Sequence, residues 1–561
     1  STPWALACAN RSGGPPRIGA RRRAAPAARG AGPKGPMDVF LVIFVCAIAA
    51  AAIAGNVRLL LHYQQPEDAE WRSSIGIKTV VVLSMTIAWL LNMLLPIDVR
   101  NSRPRPGPVD MDAVWQGGFV VLGVFLFAVV PATLFYSEVE GDDAVRSKRR
   151  YVLCHLGITL FFAVCAIGIS FPFLADASLP VVRYTCDHWQ GAHASFRPDQ
   201  LAPHLCSSKR PAFLDIKVGF QVYLIAVLCF IGWFFFVIFG GIGLSAIPVD
   251  LVLAYVDRPR AIDEQTYRHR RRLLGEVAAA LIRTAEAMRE KDGSVSAKSG
   301  LFASRNKRAV RSDYNKFRRD VVLLEEEMER LSISKFHRGE NPAVSLAKLV
   351  FGILCGVMSL MWVIHIIASV MVSHISPAIQ IPVLDGIFAA CESAGVYPLG
   401  VALFAVFTLY LLACTVYGCM KFGMRIFFFF SVHPMRARGT PLNSILFNVE
   451  LVLVTSAAVV QFTQTAFQNY ARLTSAEVIF SAQVKYVKFF SFFFEHNIFI
   501  YCLLAWCIAA LVFLLVKPRD SSVFRWDAKA DKRLGKILGA KSLDDSPLKK
   551  SRSDAAQEAQ A

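Results

Sequence analysis

Charge is scarce in this chain. Asp, Glu, Lys and Arg make up 18% of its 561 residues, against about 25% in soluble domains. That shortage excludes an ordinary water-facing surface for most of the sequence. Catalytic signatures are missing too: there is no HExxH, no Gly-x-Ser-x-Gly, no P-loop and no paired CxxC. The chain therefore has no motif for zincin, nucleophile-elbow or nucleotide-driven chemistry, and no catalytic residue, cofactor or metal is expected. Without a nucleotide site it does not run an ATP-driven pump by itself. The net charge of +19 comes without a zinc-finger, RNP-type or basic-zipper pattern. Nucleic acid is thus not the expected partner; loop charge that orients a membrane protein is.

Acidic residues are absent from 1–36, which is rich in Arg, Ala, Gly and Pro. One reading is a transit peptide, since such peptides are Arg-rich and acid-poor. The other is an upstream, disordered or non-native extension before Met37. The density of proline and glycine argues against an amphipathic targeting helix and favours the second, so 1–36 is set aside from the fold.

What the chain does have is apolar blocks. It is 55% hydrophobic and 12% aromatic, and runs of about 20 nearly uncharged residues match the hydrocarbon core at 1.5 Å rise per residue. Spans are expected at about 38–62, 77–97, 114–136, 151–174, 217–247, 346–373, 397–421, 442–465 and 486–516. The fold class is all-α: a polytopic transmembrane helical bundle of about nine spans in the lipid bilayer, with a cytoplasmic helical hairpin. The bundle parts are 37–256 (spans 1–5) and 346–516 (spans 6–9), and 517–561 is a basic cytoplasmic tail. The fifth span is long, and its Gly240, Gly241 and Gly243 permit bending or close helix approach. The ninth begins with "VKYVKFFSFFF", an interfacial stretch that leaves Asn497 to Val516 to cross.

Basic clusters set the orientation. With the C-terminus cytoplasmic, an odd span count puts the other end outside. The cytoplasmic connections then carry "RSKRR" (Arg146 to Arg150), "RHRRR" (Arg268 to Arg272) and "MRAR" (Met435 to Arg438). The largest insert, 257–345, has apolar residues at helical spacing in 262–291 and 305–336, separated by "DGSVSAKSG". This pattern reads as an antiparallel helical hairpin, either a spacer that packs on itself or a docking arm for a partner.

The loop 175–216 lies on the opposite side and holds Cys186 and Cys206, a disulfide candidate in an oxidising space. The other cysteines sit mostly in spans as small apolar fillers, and "CTVYGC" (Cys414 to Cys419) does not place both sulfurs on one helix face. Polar groups in or near spans are Asn92, Asp98, Glu138, Asp250, His365, Asp385, Glu450, Glu495 and His496. Most lie near span ends as interfacial residues. Asn92 and His365 are deeper, placed to hydrogen-bond between helices or to line a path. Two spans close on apolar-Pro-apolar-Asp: "LLPIDV" (Leu94 to Val99) and "SAIPVDLV" (Ser245 to Val252). Proline stops a helix and an aspartate at a helix C-terminus is disfavoured. Each Asp is therefore expected beyond its helix, capping the next segment or pairing with a basic loop.

"NMLLPIDV" (Asn92 to Val99), "FGGIGLSAIPVDLV" (Phe239 to Val252) and "RIFFFFSVHPMRARGTPLNSILFN" (Arg425 to Asn448) resemble the LMBR-like (limb-region-like) membrane protein family, over roughly 37–520. That family includes the lipocalin-interacting membrane receptor and the lysosomal cobalamin transport escort protein. The positions carrying the likeness include Pro96, Asp98, Gly243, Ser245, Pro248 and Asp250. The resemblance implies a non-enzymatic protein of the endolysosomal or plasma membrane, acting in ligand uptake, trafficking or partner stabilisation. The implied partner is an ABC transporter that exports cobalamin, in the escort branch, or a secreted lipocalin, in the receptor branch. The escort branch is the nearer.

Overall fold

The computed structural model describes residues 39–516. Its longest breaks are 103–108, 139–144, 187–205 and 297–313, with scattered positions in 66–73, 257–259, 315–340, 377–380, 395–398 and 423–436. The expectations for 1–36 and 517–561 lie outside the described residues.

Among the described residues nine helices are long and apolar enough to cross a membrane. They are α1 (Val39–Tyr63), α2 (Ile75–Asn101), α3 (Met111–Ser137), α4 (Val145–Leu174), α5 (Phe220–Val256), α7 (Pro342–Ile375), α9 (Leu399–Lys421), α10 (Leu442–Ala466) and α11 (Ile498–Val516). Shorter or more polar helices include α6 (Glu264–Ser296) and α8 (Leu384–Ser393). One π turn interrupts α3 at Phe125–Val129 and another interrupts α7 at Ile366–Met371.

Contacts divide the chain into two compact units: Ser1–Ala246 with Val357–Leu511, and Ile247–Gly356 with Val512–Ala561. In the first, α2 packs against α1, α9 and α10, and α9 against α10. The apolar window of α10 is 83% buried, so this helix is the centre of the unit. Lipid tails are as apolar as leucine, so close packing and polar pairing hold such helices together rather than the exclusion of water. The contacts show this. A Cβ on Gly232 would come within 2.5 Å of the Val454 carbonyl. Nearby, Trp233 Nε1 donates to Gln461 Oε1 at 2.9 Å, and Asn56 Nδ2 of α1 donates to Thr86 Oγ1 of α2 at 3.1 Å.

In the second unit α6 pairs with the helical residues of 314–336. Val277 and Leu281 form a small core with Leu273, Phe317, Val321 and Leu324. Glu264, at one end of α6, pairs with Lys335, and Tyr267 meets Phe336, which makes the two helices antiparallel.

The segment after α4 is a β-hairpin rather than a loop. Strands β1 (Asp176–Cys186) and β2 (Cys206–Lys217) run antiparallel, with Pro180 opposite Phe213 and Pro211 opposite Val182. A two-stranded ribbon has only edge strands, which tolerate a proline's missing donor. A second short ribbon joins β3 (Met424–Ile426) and β4 (Phe430–Val432).

Neither motif proline ends its helix, contrary to the expectation from the sequence. Pro96 lies inside α2 and Pro248 inside α5, so Asp98 and Asp250 are helical too. The reason is visible at Pro248. A proline frees the carbonyl four residues back, here that of Leu244, and Ser359 Oγ donates to that carbonyl at 2.7 Å. Tyr410 Oη lies 2.7 Å from Ser359 Oγ and extends the chain. In a bilayer a neighbouring helix can re-satisfy a freed backbone group, and the helix continues.

Candidate functional site at the hairpin end of the bundle

Loop contacts sort the ends of the first unit into two sets. Gln64 bridges Thr440, and Arg438 N donates to the His62 carbonyl at 3.0 Å. On the other set, Ala177 of the hairpin bridges Val487, and Lys488 pairs with Asp176 at 2.9 Å. This grouping is the one nine alternating crossings require. The polar residues singled out from the sequence gather mainly at the hairpin end.

Asp98 is the centre of the first cluster. Its side chain is buried, and it accepts from Trp115 Nε1 and Ala476 N, both at 2.8 Å, and from Ser475 N at 3.2 Å. Ser475 and Ala476 open the helical segment that continues through Glu477–Gln483. The next donor, Glu477 N, goes to Thr474 Oγ1 at 3.1 Å, and Glu477 Oε2 reaches back to Leu473 N at 2.7 Å. Thr474-Ser475-Ala476-Glu477 thus works as a variant capping box, whose return bond goes to the residue before the cap, and Asp98, far away in sequence, satisfies the donors that the box leaves open. A carboxylate at a helix N-terminus also meets the positive end of its dipole.

The second cluster surrounds His365. Its Nε2 lies 2.9 Å from the Ala466 carbonyl and its Nδ1 lies 3.0 Å from Ser369 Oγ, while the ring stacks on Phe467 at 4.5 Å. Ser369 Oγ is also 2.9 Å from the Ile381 carbonyl. A neutral imidazole that donates from Nε2 needs a donor at Nδ1, so the Ser369 proton serves either His365 or Ile381. Trp362, Phe388 and Phe404 enclose Phe467. Tyr470 closes the cluster by donating to Glu392 Oε1 at 2.7 Å.

Asp385 sits buried in the first turn of α8. Burial pushes its carboxyl up to about 7, against weaker opposing hydrogen bonds from the Tyr470 backbone and the Asn469 side chain. Between the unfolded value of 3.8 and about 7 the folded chain holds a proton that the unfolded chain has lost. The contribution to stability is full below the unfolded value and disappears as pH rises through the folded one. Each unit of acidification in that window adds up to about 1.4 kcal/mol. Thermal unfolding of the detergent-solubilised protein should therefore show stability rising from pH 8 to pH 5, with a shallower rise in Asp385→Asn. An equally steep rise in that variant would assign the effect to other groups. Buried Glu477, also raised by burial, contributes in the same direction in both proteins.

The remaining sequence candidates are dispersed. Asn92 is buried and its Nδ2 donates to the Ala88 carbonyl of its own helix at 2.9 Å. Gly243 lies against the Cys414 backbone, and Ser245 Oγ donates to the Cys507 carbonyl at 2.9 Å. Asp250 and Glu450 are half-buried, and Glu495 and His496 are exposed. The β1–β2 register sets Cys186 opposite Cys206; their side chains, and that of Glu138, lie outside the described residues. Among the described residues no group of three metal-binding side chains gathers. Sequence reasoning missed Trp115, Ser359, Glu392 and Tyr470. The capping box alone left a local signal, a Thr followed three residues later by Glu.

Known proteins resemble this chain along most of its length. A LIMR family protein of Dictyostelium discoideum is 30% identical over 520 residues, covering 86% of this chain and 98% of that protein. LIMR family proteins of Oryza sativa (28% over 512 residues, 86% and 97% covered) and Arabidopsis thaliana (27% over 498 residues, 83% and 93%) match as well. No solved structure matches. The family described as LMBR1-like membrane protein matches residues 37–329 and 307–515, and with its segments covering nearly all of the span-bearing sequence, the chain belongs to the LMBR1-like membrane protein family.

Proposed function

We propose that this chain is a non-enzymatic scaffold, acting as a receptor, escort or trafficking partner for another membrane protein or its ligand. The observation that carries the reading is α4. None of the residues in its apolar window is buried, and Phe161, Phe162, Ile169 and Phe173 are largely exposed. A span that its own bundle hardly covers is free to receive another transmembrane helix. In its finer form the partner is an ABC transporter, in the setting of lysosomal cobalamin export, with the C-terminus cytoplasmic and the α6 hairpin as docking arm.

A photo-cross-linking residue at Phe162, introduced in the full chain and in one lacking 262–336, tests the reading. A single transporter-class adduct in the intact chain, weakened by the deletion, supports both the face and the arm. Adducts to lipid alone reject the scaffold.

A second reading, transport by the chain itself, is favoured by Asn448 and Gln464. Both are buried in α10, and their side-chain amides have no hydrogen-bond partner among the described residues. Such groups cost about 1–3 kcal/mol each unless water or solute meets them. Reconstitution into liposomes with a solute-uptake readout separates the two readings. A structural accessory subunit is the third reading, and it predicts a stable complex that survives the deletion.

A further inference from the structure

Between α10 and α11 a small cleft opens at the hairpin end, lined by Trp233, Gln461, Thr465, Lys485, Phe494 and Phe499 among others. Its enclosed space, about 10 Å³, is that of a single water-sized group. Most of its polar lining is already engaged. Gln461 Oε1 accepts from Trp233 Nε1, and Thr465 Oγ1 donates to the Gln461 carbonyl at 2.9 Å.

Lys485 differs from these. Among the described residues it forms no ion pair, and its Nζ stands 5.7 Å from the centre of the Tyr486 ring. Burial holds its ammonium below the usual lysine range, and the neighbouring charge of Glu495 offsets this only in part. A desolvated cation without a bound counter-ion is costly and favours an anion.

The surroundings specify where that anion comes from. Three residues on, Lys488 is exposed and paired with Asp176, so that level is at water. Trp233, on the other wall, lies inside a membrane span. Phe489 and Phe492 beside the cleft are largely exposed, as aromatics are at a membrane surface. Lys485 therefore sits at the boundary between lipid headgroups and acyl chains.

We propose that one acidic membrane lipid docks at the mouth of this cleft, with a single phosphate or carboxylate oxygen in the cleft on Lys485 and its chain outside, against the phenylalanines of 489–499. The proposal is independent of the scaffold reading. Native mass spectrometry of the full chain in detergent tests it, with dioleoyl phosphatidylserine and dioleoyl phosphatidylcholine titrated in turn. The serine lipid should be retained at about tenfold lower concentration. Lys485→Gln should abolish that preference, Lys485→Arg should restore it, and Lys488→Gln should leave it unchanged. Size-exclusion profiles identify any variant that fails to fold, and the arginine variant carries the test if the glutamine one does.

An unchanged preference in folded Lys485→Gln would overturn the site. Displacement of the lipid by millimolar inorganic phosphate would show a free-anion site and overturn the lipid assignment.

Discussion

Gly243→Ala is expected to prevent the bundle from assembling. A Cβ at that position would land inside the backbone carbonyl of Cys414, and a Cβ on Gly418 would land inside that of Phe239. The two clashes are reciprocal. On a helix the Cβ leans toward the N-terminus and the carbonyl toward the C-terminus. Gly243 over the Cys414 carbonyl and Gly418 over the Phe239 carbonyl therefore mark one crossing, where the α5 and α9 backbones touch. Overpacking a core costs about 1–3 kcal/mol when side chains can shift. Here the obstacle is main chain, and the cost exceeds that range.

The expected readout is a loss of the monodisperse fraction in detergent of at least roughly tenfold for Gly243→Ala and for Gly418→Ala. Truncating Cys414 should not rescue Gly243→Ala, because its side chain is not the obstacle. Alanine at other glycines should have graded effects. At Gly118 the nearest atoms belong to the Leu94 and Leu91 side chains, at 3.2 and 3.4 Å, so alanine there should cost little. At Gly55, within α1, nothing lies within 4 Å, and alanine should be neutral or gain up to about 1 kcal/mol. A folded, monodisperse Gly243→Ala protein would show that the crossing is looser than described.

The glycine cluster of α5 signalled a close approach in the sequence, but its partner did not, because "CTVYGC" carries no mark of which helix it meets. The same division runs through the molecule. Spans were legible because a run of about 20 apolar residues is a local property with one physical cause. The hairpin strands at 176–186 and 206–217 are not legible in the sequence, because Pro180, Pro211 and the basic residues mask the strand pattern. The proline motifs mislead for a different reason. A proline's effect on a helix depends on whether a neighbour replaces the lost bond, and Ser359 does so from more than a hundred residues away. Asp98 stands out in the sequence, but its burial among donors from α3 and the 475–477 turn is a product of tertiary structure that the local sequence does not encode.

Asp98→Ala is the second large loss expected, and it tests whether Pro-x-Asp is a structural device. The substitution orphans the Trp115 indole N–H and the backbone donors of Ser475 and Ala476 at once. Hydrogen bonds to a charged group contribute about 1.5–3 kcal/mol each. Each buried donor left without an acceptor costs about 1–3 kcal/mol, so the three together amount to several kcal/mol. Unfolding of purified protein, followed by tryptophan fluorescence and by protection of 475–477 from hydrogen exchange, should show the loss and localise it to that turn.

Asp98→Asn keeps the volume but turns an amide N–H₂ toward a donor, so it should recover only part of the stability. Trp115→Phe should cost at least about 1.5–3 kcal/mol, the value of one hydrogen bond to a charged group, because the ring is also fully buried. In combination with Asp98→Ala it should add less than that, since both remove the same contact. Full additivity would separate Trp115 from Asp98 and leave the carboxylate as a cap for the 475–477 turn alone. Unchanged exchange protection at 475–477 in Asp98→Ala would remove even that role.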